Sequence, residues 1–482
     1  MLKKRSLADN FVFQFFYHVL NYVVPLIITP YITRVIGIKG LGVYQFSRTT
    51  SYYFFLLAML GIARYGQRLI STSASKPLEL RKNFWSLYFL HFCISFTAVV
   101  LYLLFVVLFI KEDRLIYYLQ TFYVASAVFD ATWFFEGVED FKSVVLKNSL
   151  MKLISCVGIF VFVKSPSDLW LYTLITSLAS LFCQVAILAQ AVRLVKPIPF
   201  SKIEVLQHIK PLFYLSVTII TASLYAVFDK TLLGLMSTKD DVVFYEYSNR
   251  FITIPRDLIS IVGVVVFPRA CKLASEGDFV GLKKYMNYSI IIVSMFGFAC
   301  FWGLLATSDA IAVLYYGEDY EVCGQIIKAL APNILITDLG GILRTQYLIP
   351  RNKEKDYSLC ICLNAVINLV LSIFLIPVLG IYGAVLGTIA AELFGFVYQL
   401  RLSREVVRWK DFGKQALPFC IIGFIMFAVL EVMNTFMSVS IVNLVLEILA
   451  GAVIYCALSG LYLLRFQPEL AKLLLGKLRR RG

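Results

Sequence analysis

The stretch Leu444–Leu464, LVLEILAGAVIYCALSGLYLL, decides the fold class. It carries a single charged residue, Glu447, in a run long enough for one membrane crossing. A helix needs roughly 20 apolar residues to cross a hydrocarbon core about 30 Å thick. Phe13–Ile36 reads the same way, as does Thr97–Ile110 with the turns before it. The chain of 482 residues is 60% hydrophobic and 16% charged, too little polar matter to cover a soluble surface. In lipid only helices and closed barrels satisfy their own backbone, and the short alternating segments of a barrel are absent. The reading is an all-α integral membrane protein of about fourteen transmembrane helices, the first near 10–36 and the last near 440–464.

An even number of crossings puts both termini on one side, and Lys and Arg choose that side. Counted from a cytoplasmic N-terminus, the inner segments hold Lys3, Lys4 and Arg5, then Arg68, Lys76, Arg81 and Lys82. Further inner bases are Arg193, Lys196 and Lys202, then Arg269, Lys272, Lys283 and Lys284, then Arg351, Lys353 and Lys355. Arg404, Arg408, Lys410 and Lys414 follow, with a tail of Lys472, Lys477, Arg479, Arg480 and Arg481. The opposite loops carry few bases, among them Lys39, Lys111 and Lys239, beside Glu112, Asp113, Asp240 and Asp241. The formal net charge of +15 is therefore a topology signal and not a nucleic-acid footprint, and the basic tail suits anionic membrane lipids. No small-residue cleavage site follows the basic start, so the first helix is expected to stay in the chain. The ten cysteines lack ligand spacing, which argues against a metal site or a disulfide framework.

The chain also repeats itself. Tyr44-Gln45-Phe46-Ser47-Arg48 matches Tyr245-Glu246-Tyr247-Ser248-Asn249-Arg250, and Arg68 falls on Arg269 at the same offset. Asp140-Phe141, Asn148 and Lys152 match Asp356-Tyr357, Asn364 and Asn368. These pairs point to two parallel six-helix lobes, residues 1–200 and 201–405, followed by two added helices and a basic tail over 406–482. Parallel repeats imply an axis along the membrane normal and a cavity between lobes.

Trp133-Phe134-Phe135-Glu136-Gly137-Val138-Glu139-Asp140-Phe141 resembles the middle of the first lobe of bacterial polysaccharide repeat-unit flippases. These are the Wzx-type members of the multidrug/oligosaccharidyl-lipid/polysaccharide exporter superfamily. Tyr347-Leu348-Ile349-Pro350, Asn364, Asn368, Leu375-Ile376-Pro377, Gly380-Ile381-Tyr382-Gly383-Ala384, Thr388 and Glu392 are similar to the second lobe. Pro25 to Gly37 with Gly40-Leu41-Gly42-Val43-Tyr44 fits the opening. Residue 136 is Glu where the family's turn would carry an amide. The resemblance implies a MATE-like bundle, alternating access, and an undecaprenyl-pyrophosphate-linked oligosaccharide as cargo. That cargo serves O-antigen, capsule or teichoic-acid synthesis at the bacterial cytoplasmic membrane, beside a polysaccharide polymerase and its chain-length machinery.

Carrying a diphosphate through hydrocarbon calls for fixed cations in a water-filled cavity. The cations inside or near spans are Arg48, Lys152, Lys230, Arg250, Arg256, Lys328 and Arg344. Of these, Arg48, Arg250, Arg256, Lys230 and Lys152 are the candidate cavity residues, with ion pairing inside the bundle as their structural alternative. Arg48 and Arg250, as repeat partners, should face one another. Arg256 lies mid-span, where a charge is most costly, and its neighbour Asp257 points elsewhere on the helix. Asp130, Asp338 and Glu392 are candidates for H⁺ or Na⁺ coupling or for structural hydrogen bonding; no other cofactor is expected. Pro25 is expected to kink the first helix, and Arg34 is an interfacial anchor or an outer gate.

Three other functions compete. A membrane enzyme of glycan assembly would need a large outer loop with catalytic residues, and no nucleophile or metal constellation is found. A multidrug antiporter of the same superfamily would be expected to have twelve helices and an acidic cavity. The arginine-rich first helix of a lipid II flippase is not seen.

Overall fold

The structure, a computed structural model, describes the backbone of residues 7–199, 201 and 203–472. Side chains are described from residue 19 onward, except 200, 202, 214, 215, 217–222, 224–226 and those beyond 472. The bases at Lys3, Lys4, Arg5, Lys202, Lys477 and Arg479–Arg481 lie outside this set. Every regular element among the described residues is helical. Eleven stretches among them are long and apolar enough to cross a membrane.

The eleven stretches do not hold one crossing each, and the helical segments 114–137 and Leu206–Met236 lie outside them. Helix α1 (Leu7–Met59) passes through Gly37, whose φ of 75° is non-helical. An unbroken helix of that length would rise about 80 Å, far more than one bilayer, so Gly37 separates two crossings. Leu60 and Gly61, both at positive φ, then set off α2 (Ile62–Ser73). After α3 (Pro77–Phe109) come α4 (Arg114–Ser126) and α5 (Thr132–Gly137), which share one crossing interrupted at Asp130. The unit continues with α6 (Phe141–Phe162), α7 (Leu169–Leu194) and α8 (Leu206–Met236).

Helix α9 (Lys239–Ser275) contains Pro255 and Pro268 and is followed by α10 (Phe279–Ile311), which ends in a π turn over Ala312–Tyr316. Helices α11 (Glu321–Leu330) and α12 (Pro332–Leu343) form one crossing that also ends in a π turn, Arg344–Leu348. Four long helices complete the chain: α13 (Glu354–Leu379), α14 (Ile381–Leu402), α15 (Trp409–Phe436) and α16 (Ile441–Phe466). The arrangement is consistent with about fourteen crossings.

The chain divides into two compact units, Met1–Val243 and Phe244–Gly482. In the first, Trp133, Phe134 and Phe135 are fully buried among Ile62, Ile70, Phe84 and Leu87. Two glycines permit this closeness: a methyl on Gly66 would meet the Trp133 ring at 2.6 Å, and one on Gly137 would meet Ile70 at 2.7 Å. Lipid supplies no hydrophobic drive between helices, so such small-residue contacts carry much of the association. His91 sits in this unit as a core histidine, its Nε2 donating to the Ala127 carbonyl at 2.6 Å.

The repeat read from the sequence reappears as matched contacts within each unit. Tyr44 donates to Thr176 Oγ1 at 3.3 Å in the first unit, and the hydroxyls of Tyr245 and Thr388 lie 3.1 Å apart in the second. Asn148 accepts from the Cys183 thiol at 3.3 Å, while its counterpart Asn364 lies against Gly395 in the place of that cysteine. In the second unit α15 and α16 pack on α10, where Tyr455 donates to the Met295 carbonyl at 2.7 Å.

Candidate functional site

A cavity of about 260 Å³ opens within the second unit, between α9, α10 and α12 with its π turn. Helix α9 supplies Arg256, Asp257, Ser260 and Gly263, and the opposite wall supplies Thr337, Asp338, Arg344 and Thr345. Local sequence explains why these side chains converge. The π turn at Arg344–Leu348 widens the helix there and turns Arg344 and Thr345 to the cavity, a deformation that recurs at functional sites. Gly263 gives Thr345 its room, since a methyl there would stand 3.1 Å from Thr345 Oγ1, whereas one on Gly341 would meet Arg344 Nη2 at 3.6 Å, an ordinary van der Waals contact.

The polar groups of this cavity are held but not saturated. Arg256 Nε and Asp338 Oδ2 are buried and have no hydrogen-bond partner among the described residues. The Arg344 guanidinium lies 5.6 Å from the centre of the Tyr357 ring, a cation–π contact that fixes its position. Behind Asp338, Thr337 Oγ1 donates to Glu392 Oε2 at 3.3 Å and lies 3.1 Å from Asn333 Oδ1, so Glu392 stands one hydroxyl behind the cavity wall. Two guanidiniums, two carboxylates and three hydroxyls make a site that can take the oxygens of a phosphate group. A guanidinium fork matches phosphate geometry, and burial raises the energy of each contact.

Of the residues singled out from the sequence, Arg256 and Asp338 meet here. Asp257 lines the same cavity although it is the next residue after Arg256, because the cavity curves around α9 from Arg256 to Gly263. Arg344, among the in-span cations but not among the five favoured ones, is the residue that sequence reasoning passed over.

The other candidates lie elsewhere. Arg48 stacks on Tyr123 with its Cζ 3.1 Å from the ring centre and donates to Gln120 Oε1 at 3.4 Å. Arg250 stands 3.9 Å from Glu246 and 5.4 Å from the centre of the Tyr247 ring. Both repeat arginines thus rest on a tyrosine face within their own unit. Lys152 donates to Asn21 Oδ1, and Lys230 follows Asp229 on α8 beside Tyr53 and Thr231. Asp130 is buried and accepts from the amide of Thr132, the first residue of α5, at 3.0 Å. Pro25 lies within α1 and its carbonyl accepts from Thr29 at 2.6 Å. Arg34 is exposed and folds back to the Pro30 carbonyl at 2.7 Å.

Residues 7–274 match the family described as Polysaccharide biosynthesis protein. The chain belongs to that family. Two relatives share the name "Putative O-antigen transporter". The one from Shigella dysenteriae is 25% identical over 410 residues, covering 82% of this chain and 99% of the relative. The one from Escherichia coli K12 is 21% identical over 395 residues, covering 81% and 94%. Among solved structures, the lipid II flippase MurJ in an inward-closed conformation is similar with a TM-score of 0.74 at 17% identity, covering 95% of this chain and 99% of that one. This likeness establishes the fold. Family membership over residues 7–274 bears out the resemblance, whose Trp133–Phe141 segment lies inside the match, and the protein is a multi-pass membrane protein.

Proposed function

We propose that the protein carries lipid-linked oligosaccharides across the bacterial cytoplasmic membrane, from the inner to the outer leaflet, for surface polysaccharide synthesis. The cargo is an undecaprenyl-pyrophosphate glycan that serves O-antigen, capsule or teichoic acid. Both termini are cytoplasmic in this reading. The polysaccharide polymerase and its chain-length machinery act next on the delivered unit.

The observation that carries the proposal is the Arg256–Arg344 cavity inside an apolar bundle. A diphosphate cannot shed its hydration in hydrocarbon without fixed counter-charges. At about 260 Å³ the cavity is just smaller than the roughly 300–1,000 Å³ that encloses a drug-sized ligand. It suits a diphosphate, with the sugars left in the wider aqueous space and the polyprenyl tail in lipid. The family description and the names of the relatives support the same cargo. Asp338 competes with the diphosphate for Arg256, and Glu392 stands behind it. These two acids are where H⁺ or Na⁺ coupling would act on the cargo, with Asp130 in the corresponding crossing of the first unit. In this reading Arg48 and Arg250 also meet the cargo, with Lys152 and Lys230 as secondary contacts. Pro25 and Arg34 in the first helix serve the outer gate. A drug antiporter would want a net acidic cavity, whereas here two arginines offset Asp257 and Asp338.

The test is translocation of undecaprenyl-pyrophosphate oligosaccharide in liposomes containing the purified protein. Faster transfer than in empty liposomes supports the proposal. No transfer under any H⁺ or Na⁺ gradient, with export of cationic dyes, overturns it in favour of the antiporter.

A further inference from the structure

A second cavity, of about 530 Å³, lies in the second unit where three long helices end together. Its lining comes from the first turns of α10 (Val280, Lys283, Lys284), the first turns of α15 (Gln415) and the residues that close α16 (Phe466, Glu469). All three helices are long and apolar enough to span the membrane, so their shared end is the boundary between hydrocarbon and water.

The lining is amphiphilic. Ile291 lies deeper in α10, within the apolar cluster of Phe419 and Leu463, and Phe466 is the last residue of α16. Lys283 and Lys284 stand 3.2 Å from Asp411 and 2.8 Å from Glu469. Each lysine ammonium has three N–H donors, and one carboxylate apiece leaves donors for a further acceptor. The surrounding charge favours an anion. Segments 279–291, 408–415 and 465–472 carry Lys283, Lys284, Arg408, Lys410, Lys414, Arg465 and Lys472 against Asp411 and Glu469 alone. Asn287 and Gln415 add amides to the wall, and the Oδ1 of Asn287 is buried with no partner among the described residues.

We propose that this cavity holds one anionic diacyl phospholipid of the adjacent leaflet, as a bound lipid distinct from the transported cargo. Its phosphate sits between Lys283 and Lys284, its headgroup hydroxyls meet Asn287 and Gln415, and an acyl chain lies along Ile291 and Phe466. Basic pockets between helices at a membrane surface recognise phosphate headgroups in this way. The lipid would add to what already ties the α15–α16 pair to α10 at this end: the Lys283–Asp411 and Lys284–Glu469 pairs, the Tyr288–Glu469 hydrogen bond of 2.9 Å and the apolar cluster around Ile291 and Phe419.

The test is native mass spectrometry of the full-length protein in mixed micelles, with phosphatidylglycerol or phosphatidylcholine as the added lipid. Wild type should retain one phosphatidylglycerol at concentrations where phosphatidylcholine is lost. Gln415→Glu, which adds a negative charge without touching either ion pair, should weaken that retention about tenfold. The double variant Lys283→Gln, Lys284→Gln should abolish it. Equal retention of both lipids, or phosphatidylglycerol retention unchanged in Gln415→Glu, overturns the proposal. Should the double variant fail to fold, the single variant and the lipid comparison decide.

Discussion

Arg256 Nε and Asp338 Oδ2 face one cavity from α9 and α12, and both are buried without a hydrogen-bond partner among the described residues. A guanidinium and a carboxylate that share a cavity yet keep unused valences are poised for a third party. An anion entering between them satisfies Arg256 and works against Asp338, so binding and release draw on the same two side chains.

Asp338→Asn should therefore tighten anion binding, because the competing charge goes while the shape stays. Calorimetric titration of the purified protein with inorganic pyrophosphate should give an affinity several-fold above wild type. Weaker binding in the variant would mean that Asp338 orders the site instead of competing within it.

The stacking of Arg48 on Tyr123 is expected to matter for stability. A desolvated cation–π contact contributes about 2 kcal/mol, against 0.5–1 at an exposed site. Arg48→Gln and Tyr123→Leu should each lower the thermal midpoint in detergent, and the double variant should fall less than the two added together. Additive losses would show that the two residues act apart.

Glycine positions give a sharper test of the packing. Gly395→Ala drives a methyl into the Asn364 amide, and Gly423→Ala drives one into the Trp302 ring. Overpacking of this kind costs about 1–3 kcal/mol. Gly413→Ala meets nothing within 4 Å and should be neutral. Unfolding in detergent followed by fluorescence ranks the three, and a neutral Gly395→Ala would contradict the register of α13 against α14.

A pH-dependent clasp closes one end of the second unit. Glu405 accepts from Arg351 at 2.6 Å and from the Tyr347 hydroxyl at 3.0 Å, and Arg351 also lies over the Phe279 ring. The Arg351 and Tyr347 hydrogen bonds, with Lys353 nearby, hold the Glu405 carboxyl below the usual glutamate range. A lowered folded value means the contribution is present above the unfolded glutamate value of about 4.3 and is lost as pH falls through the lower folded one. Hydrogen exchange over residues 349–353 and 403–408 should be faster in Glu405→Gln than in wild type at pH 7, and the difference should vanish in acid. A difference that persists in acid would assign the effect to something other than the carboxylate.

Much of this was legible in the sequence, and the reasons differ by residue. The crossings announce themselves because about 20 apolar residues have no other use in a helical chain. Arg256 stood out because a mid-span charge is costly enough to demand a reason. Arg344 did not, because it sits where α12 passes into a π turn, and neither that turn nor the reach of the side chain is written in hydrophobic periodicity. The Tyr44 and Tyr245 motifs marked the repeat, but their partners Thr176 and Thr388 lie more than 130 residues away and become visible only in the packed helices. Trp133, Phe134 and Phe135, which carried the resemblance, turn out to be core packing against Gly66 and Phe84.

The most direct measurement of the central claim is translocation of undecaprenyl-pyrophosphate oligosaccharide in liposomes by wild type, Arg256→Ala, Arg344→Ala and Gly413→Ala. Charge-assisted hydrogen bonds contribute about 1.5–3 kcal/mol each, so either arginine variant should lose roughly tenfold or more of the initial rate. Gly413→Ala should match wild type. Wild-type rates in both arginine variants, at equal insertion and folding, would contradict the account.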